Sequence, residues 1–247
     1  MQMKFDCVLF GSYQSELMKR CLLVLLFLAC LPVYSQEPYS QEPGKSKRTC
    51  RIVFPERPND APKIVYLFDG KKNQQVFLPS MNFSKVISLP KGELTILMAK
   101  NEIIDPEILP QGAPILKIPE TVGDFYILVT PDPSNKELPV KMILVNASDG
   151  KLKPGKTLWF NLTNHRILAN LGKSKMMVDP KGRTITKGPT PNSGYYRAEF
   201  GYQPEANGKI HRITEQHWWH DANCRHLGFI IPSGGRLPKI FFFRDFR

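Results

Sequence analysis

Four of the five histidines in this chain lie between residues 211 and 226, and a cysteine stands among them: His211, His217, His220, Cys224 and His226. Imidazole and thiolate are good ligands for zinc or copper, so residue type alone points to a metal site. The spacing matches no standard finger or copper loop, and no Met follows at a distance that would complete a blue-copper site. A strand edge with tryptophan neighbours accounts for the same histidines without metal. No cofactor is therefore expected, and a metal-binding cupredoxin-like domain stands as the alternative reading.

Aromatic residues supply the second possible chemistry. Trp159, Tyr195, Trp218 and Trp219, with Tyr196 and Tyr202 nearby, offer flat faces on which a sugar ring can stack. Trp159 falls opposite Leu158 and Phe160 in the alternation of its strand, which places it on an outward face if the other two face a core. The plainer account is that large aromatics fill β cores. Catalytic patterns are weak. Gly172-Lys173-Ser174-Lys175 is half a phosphate loop without the glycine spacing, and Ser233-Gly234-Gly235 has no nucleophile elbow before it. No catalytic residue is assigned and the chain is not expected to be an enzyme. Asn82, Asn146 and Asn161 each begin a glycan-acceptor triplet.

The elements that must hold these residues read as strands. Between Thr157 and Thr186, Leu158, Phe160 and Leu162 alternate with polar or aromatic residues, and Ile167, Ala169 and Leu171 resume the pattern after Asn164-His165-Arg166. Asp179-Pro180-Lys181-Gly182 suits a type I turn, so the stretch is expected to be a β-meander. Asp69-Gly70 between Ile64–Phe68 and Gln75–Leu78 signals a hairpin. Phe125-Tyr126-Ile127-Leu128-Val129 is apolar throughout, which suits a central strand covered on both faces. Prolines 106, 110, 114 and 119 rule out a helix or long strand over 101–119. Lys209–Leu227 suits either a short helix or a strand. The strand-corner-strand pattern at Ile64–Leu78 is echoed at Leu158–Leu171, which suggests a duplicated unit. The expected fold is all-β: two small antiparallel β-sandwich-like units, 49–148 and 149–247, joined by the Pro/Gly-rich connection around Asp149–Lys156.

Residues 1–35 read as a signal region. Lys19-Arg20 precedes an apolar run from Cys21 to Leu31, too short to span a bilayer, and cleavage is expected after Ser35, with translation beginning at Met18. Residues 36–48, with the repeated Tyr-Ser-Gln-Glu-Pro, read as a flexible linker. The chain carries a formal net charge of +12, and removing 1–35 changes this excess little. Such basicity in an exported protein favours anionic partners such as an acidic glycan or another envelope component rather than nucleic acid, although the positive residues are spread along the chain. After cleavage only Cys50 and Cys224 remain, and in an oxidising compartment they would form one disulfide; two separately buried thiols are the alternative. A periplasmic or extracellular location follows.

Ile118-Pro119, Phe125-Tyr-Ile-Leu-Val-Thr-Pro-Asp-Pro, Leu158-Trp-Phe-Asn-Leu-Thr with Leu171-Gly172, and the closing Trp218-Trp219, Arg225 and Phe241-Phe-Phe-Arg-Asp together resemble uncharacterised exported β-proteins of Gram-negative bacteria. The resemblance covers most of the chain beyond residue 35. It implies an exported compartment and an all-β architecture, and it makes Trp218–Arg225 a strand pair with its turn. It carries no activity. The function expected is a non-catalytic binding or structural role in the envelope or extracellular space.

Overall fold

In the computed structural model, residues 48–246 are described, apart from 59, 60, 149, 151, 206, 207 and 236. The signal region and the linker up to Lys47 lie outside the described residues. Arg48, placed in the linker by sequence, is already the first residue of a strand.

The described residues hold sixteen strands and no helix. The first half contributes β1 (Arg48–Val53), β2 (Ile64–Phe68), β3 (Asn73–Phe77), β4 (Ile87–Leu89), β5 (Leu94–Ala99), β6 (Ile115–Ile118), β7 (Asp124–Pro131) and β8 (Val140–Asn146). The second contributes β9 (Thr157–Asn161), β10 (Arg166–Leu171), β11 (Ser174–Val178), β12 (Arg183–Thr186), β13 (Gly194–Gln203), β14 (His211–His220), β15 (Arg225–Ile231) and β16 (Lys239–Asp245). They form four four-stranded sheets: sheet 1 is β3-β2-β5-β6, sheet 2 is β4-β1-β7-β8, sheet 3 is β12-β9-β15-β16 and sheet 4 is β11-β10-β13-β14.

Adding eight to every strand number in sheets 1 and 2 gives sheets 4 and 3. The pairing directions follow as well: β1 runs parallel to β7 and β9 parallel to β15, and all other strand pairs are antiparallel. The two halves are thus the same eight-stranded sandwich built twice. The sequence echo noted above is one strand out of step, because β2–β3 corresponds to β10–β11 and not to β9–β10.

Three cores separate the four sheets. Cys50, Ile52, Phe125, Ile127 and Val129 of sheet 2 meet Val65, Leu67, Ile96 and Met98 of sheet 1. Tyr126 and Leu128, on the other face of sheet 2, meet Leu158, Leu227, Phe229 and Phe243 of sheet 3. Trp159 and Ile230, on the far face of sheet 3, meet Ile167, Ala169, Ala198 and Phe200 of sheet 4. Sheets 2 and 3 are therefore covered on both sides, which is why β7 is apolar at successive positions rather than at alternate ones.

Local chemistry explains the connections. Asp69 Oδ1 accepts the amides of Lys71 and Lys72 at 2.9 and 2.7 Å, closing the β2–β3 hairpin with Gly70 at φ 89°. The expected meander is corrected: β9 pairs with β12 and β15, whereas β10 pairs with β11 and β13, so the corner at 162–165 crosses from sheet 3 to sheet 4. Asn161 holds that crossing. Its fully buried amide donates to the carbonyls of His165, Val178 and Asp179 at 2.7, 3.2 and 3.0 Å, and its Oδ1 accepts from the Thr163 amide and hydroxyl. The turn at Asp179–Gly182 closes with a 3.0 Å bond from Gly182 N to Asp179 O. Lys181 sits at φ 56°, however, which is type II geometry and not type I. The Lys181 ammonium donates to Leu162 O at 2.6 Å, tying the turn to the same corner.

Candidate functional site

The histidine segment forms β14 and the turn into β15, and the structure divides its five candidate ligands. His211 and His217 are exposed on β14; His211 stacks on Tyr202 with ring centroids 5.2 Å apart, and His217 lies opposite Arg197. His220, Cys224 and His226 are buried together where β14 crosses to β15. Cys224 Sγ lies 3.5 Å from His226 Nε2, the two imidazole centroids are 5.1 Å apart, and Phe242 stacks on His226 at 5.0 Å. Gly188 backs this group: a Cβ there would come within 2.6 Å of His220 Nε2. Trp218–Arg225 is thus a turn between two sheets and not a hairpin within one.

Burial sets the protonation of these groups. His226 is pushed down to about 4, mainly by desolvation and then by His220; His220 is also lowered by burial, against the pull of Asp221. Burial pushes the Cys224 thiol up to about 11, with Asp221 adding to it. Near neutral pH the group is therefore two neutral imidazoles and a protonated thiol, which suits packing better than nucleophilic attack. Neither Nδ1 atom has a hydrogen-bond partner among the described residues. Among the described residues, no group of three or more His, Cys, Asp or Glu is placed to hold a metal ion.

The expected disulfide does not form. Cys50 lies in the core between sheets 1 and 2, and Cys224, a free thiol, lies beside His226 at the edge of the sheet 3–sheet 4 core.

The aromatic candidates also separate. Trp159, expected on an outward face, is 0% exposed. The alternation is correct, but both faces of sheet 3 are covered: Leu158 and Phe160 enter the core against sheet 2, and Trp159 enters the core against sheet 4. Its indole donates to Thr186 Oγ1 at 3.1 Å and lies over Gly228 of β15, where any Cβ would overlap its six-membered ring. Trp218 is half-buried in the same core, stacked on Trp159 at 6.3 Å and tilted against Phe242 at 5.1 Å. Tyr195 and Trp219 remain outside. They are a cross-strand pair of β13 and β14, 73% and 41% exposed, with rings edge to face at 4.9 Å.

Further along this outer face of sheet 4, Arg197 pairs with both Glu199 and Glu215, and Arg212 pairs with Glu215. Next comes a groove over Gly201, lined by Leu168, Asn170, Lys175, Glu199, Ile210 and Arg212. The β13–β14 register shifts at Phe200/Gly201, with Ile213 of β14 the extra residue, and the Ile210 side chain packs over Gly201, where a Cβ would come within 2.8 Å of it.

A buried ionic group went unseen in the sequence. The Asp245 carboxylate, at the end of β16, receives Arg51 at 2.6 Å, Arg225 at 3.3 Å and the Tyr126 hydroxyl. Arg225 also meets Asp124 at 2.7 Å. Arg51, Asp124 and Tyr126 belong to sheet 2, Arg225 and Asp245 to sheet 3, so the group ties the two sandwiches together. Asp124 and Arg225 each open the seventh strand of their own half. Charges at strand ends give no periodic signal, and only the pairing of residues 101, 119 and 194 positions apart brings the two sheets' members together.

No helix among the described residues is long and apolar enough to cross a membrane. No family model and no curated protein matches the chain. Among solved structures, the Bacillus anthracis TIE protein aligns with 72% of this chain and 32% of its own, at 14% identity and a TM-score of 0.23.

Proposed function

We propose that the chain is an exported, non-catalytic binding protein of the cell envelope or extracellular space, and that it holds a glycan chain on the outer face of sheet 4. The observation that carries this reading is the Tyr195–Trp219 pair. Two large rings at ordinary edge-to-face distance stand out of a rigid antiparallel ladder, where burial in a core would be the default. Stacking of a pyranose face on such a ring needs no acid or base. The excess of basic residues over the whole chain supports a preference for glycans carrying carboxylate or sulfate. Arg197, the neighbouring cation on this face, is already turned to Glu199 and Glu215, so the anionic preference is long-range and falls with salt.

The test is retention on immobilised acidic and neutral polysaccharides, with wild type compared to a Tyr195→Ala, Trp219→Ala double variant. Wild type is retained and the variant, whose substitutions are at exposed positions, elutes in the void. Equal retention of the two proteins removes this surface from consideration.

A further inference from the structure

The 101–114 connection is anchored at its ends and apolar at its tip. The Asn73 amide exchanges two hydrogen bonds with the backbone of Ile103, at 2.8 and 3.1 Å. Ile103 and Ala113 pack onto Phe68, Leu97 and Ala99 on the outer face of sheet 1. Asp105 Oδ1 accepts the Glu107 amide at 2.9 Å, and Ile108 N donates to Asp105 O at 3.1 Å, which fixes a tight turn. The anchored loop holds Ile104 at 94%, Ile108 at 75% and Leu109 at 46% exposure. Three large aliphatic side chains presented this way by an ordered loop mark an interaction surface. Glu102, Asp105 and Glu107 surround them, and no basic residue occurs between 101 and 114.

The outer face of sheet 4 offers the complement. Met177, Leu168, Gly201 and Arg212 stand in one cross-strand row, with Lys175 in the next. Met177 and Ile210 are exposed apolar residues beside the groove; Lys175, Arg197 and Arg212 outnumber Glu199 and Glu215 there by one positive charge, and among the described residues Lys175 is the one of these three cations that no carboxylate pairs. Sheets 1 and 4 are the two outer layers of the stack, so the acidic apolar loop and the basic apolar groove lie on opposite outer faces of one molecule.

We propose that the Ile104–Leu109 loop of one molecule docks in the Gly201 groove of a second copy of this chain. Because the two surfaces differ and face opposite ways, the contact is heterologous, and repetition of it gives a chain of molecules or a closed ring. The Tyr195–Trp219 pair lies six residues along β13 from Gly201, about 20 Å at strand rise, so self-association and glycan binding are separately testable.

Sedimentation velocity of the purified chain over a concentration series tests the inference. Wild type is expected to give species larger than a dimer. Their formation weakens as salt rises from about 0.1 M to about 1 M, where the screening length falls from about 10 Å to about 3 Å. Ile104→Ser with Ile108→Ser and Leu109→Ser removes the loop surface at exposed positions, and Lys175→Glu with Arg212→Glu reverses the groove rim. Each variant alone is expected to sediment as a monomer with an unchanged melting profile. Mixed together they are expected to form a one-to-one dimer that cannot grow, because each supplies the surface the other lacks. Ile108→Lys is the second loop variant and is also expected to be monomeric. A monomeric wild type at every concentration, association only with another protein, wild-type association by either loop variant, or growth of the mixture beyond a dimer overturns the inference.

Discussion

Asp245→Asn is the sharpest probe of how the two sandwiches are joined. In the wild type, Asp245 is fully buried and faces Arg51, Arg225 and the Tyr126 hydroxyl, all of which donate to it. Asparagine preserves the volume, removes the charge and turns an NH2 group toward a site crowded with donors. Breaking a buried ion pair from one side costs about 3–5 kcal/mol, because the partner charge is left uncompensated. Arg51 and Arg225 retain some exposure, and Arg225 keeps Asp124, so the lower end of that range is expected, about 3 kcal/mol. For a domain of this size each kcal/mol lowers Tm by about 2–4 °C, giving a fall of roughly 6–12 °C. Urea denaturation followed by tryptophan fluorescence reads the second half, since Trp159, Trp218 and Trp219 all lie there, and far-UV circular dichroism reads both halves. If the ionic group couples them, the two probes coincide in wild type and separate in the variant. The apolar replacement of the buried part of the group, Asp245→Leu with Arg51→Met, Arg225→Met and Tyr126→Phe, is expected to recover at least half of the loss, because the one charge left behind, Asp124, is partly exposed. A variant within about 1 kcal/mol of wild type, inside the range of an exposed pair, with coincident probes, refutes the argument.

Acid stability depends on His226. Its folded pKa of about 4 lies below the ordinary 6.5, so the unfolded chain binds the extra proton first: this contribution is full above pH 6.5 and is lost as pH falls toward 4, by about 3 kcal/mol. His226→Phe, which places in β15 the residue type that β7 carries at Phe125, is expected to flatten that limb in urea midpoints measured from pH 7 to 4. Gly228→Ala drives a methyl into the Trp159 ring and is expected to cost 1–3 kcal/mol or more, with Trp159→Leu in the same chain restoring part of it, as read by Tm. Asn161→Ala removes five hydrogen bonds, three of them buried, and is expected to lower stability by about 3 kcal/mol, several unsatisfied backbone groups being left behind. Wild type expressed in a glycosylating host is expected to show no modification at Asn161 by mass spectrometry, since the buried amide is already engaged.

How much of this could be read from the chain itself differs by feature, and the reasons are physical. Turn chemistry is local, so the Asp69-Gly70 hairpin and the Asp179–Gly182 turn were legible, and so was the all-β class. Period two is local as well: it separates Trp159 from Leu158 and Phe160 correctly. What it cannot carry is the identity of the layer beyond each face. The outward position of Trp159 assumed one wet face, and sheet 3 has none. The signal that would have corrected it lies in β15, where Leu227-Gly228-Phe229-Ile230-Ile231 is apolar at successive positions and puts glycine where a neighbouring indole must fit. The histidines separate for a related reason. Crowding in sequence suggested convergence, but a strand sends side chains to two faces along a length of about 30 Å for ten residues, which leaves His211 and His217 exposed on β14 while His220 meets Cys224 and His226 at its far end. The duplication was nearly invisible because the topology constrains burial and not identity: Phe125 and His226 fill corresponding core positions, as do Ile52 and Trp159. The two outer faces differ as well. The first sandwich closes its outer face with the 101–114 loop packed on Phe68 and Leu97, whereas the second leaves the outer face of sheet 4 open, and it is this open copy of a shared layer that displays Tyr195, Trp219 and the groove over Gly201.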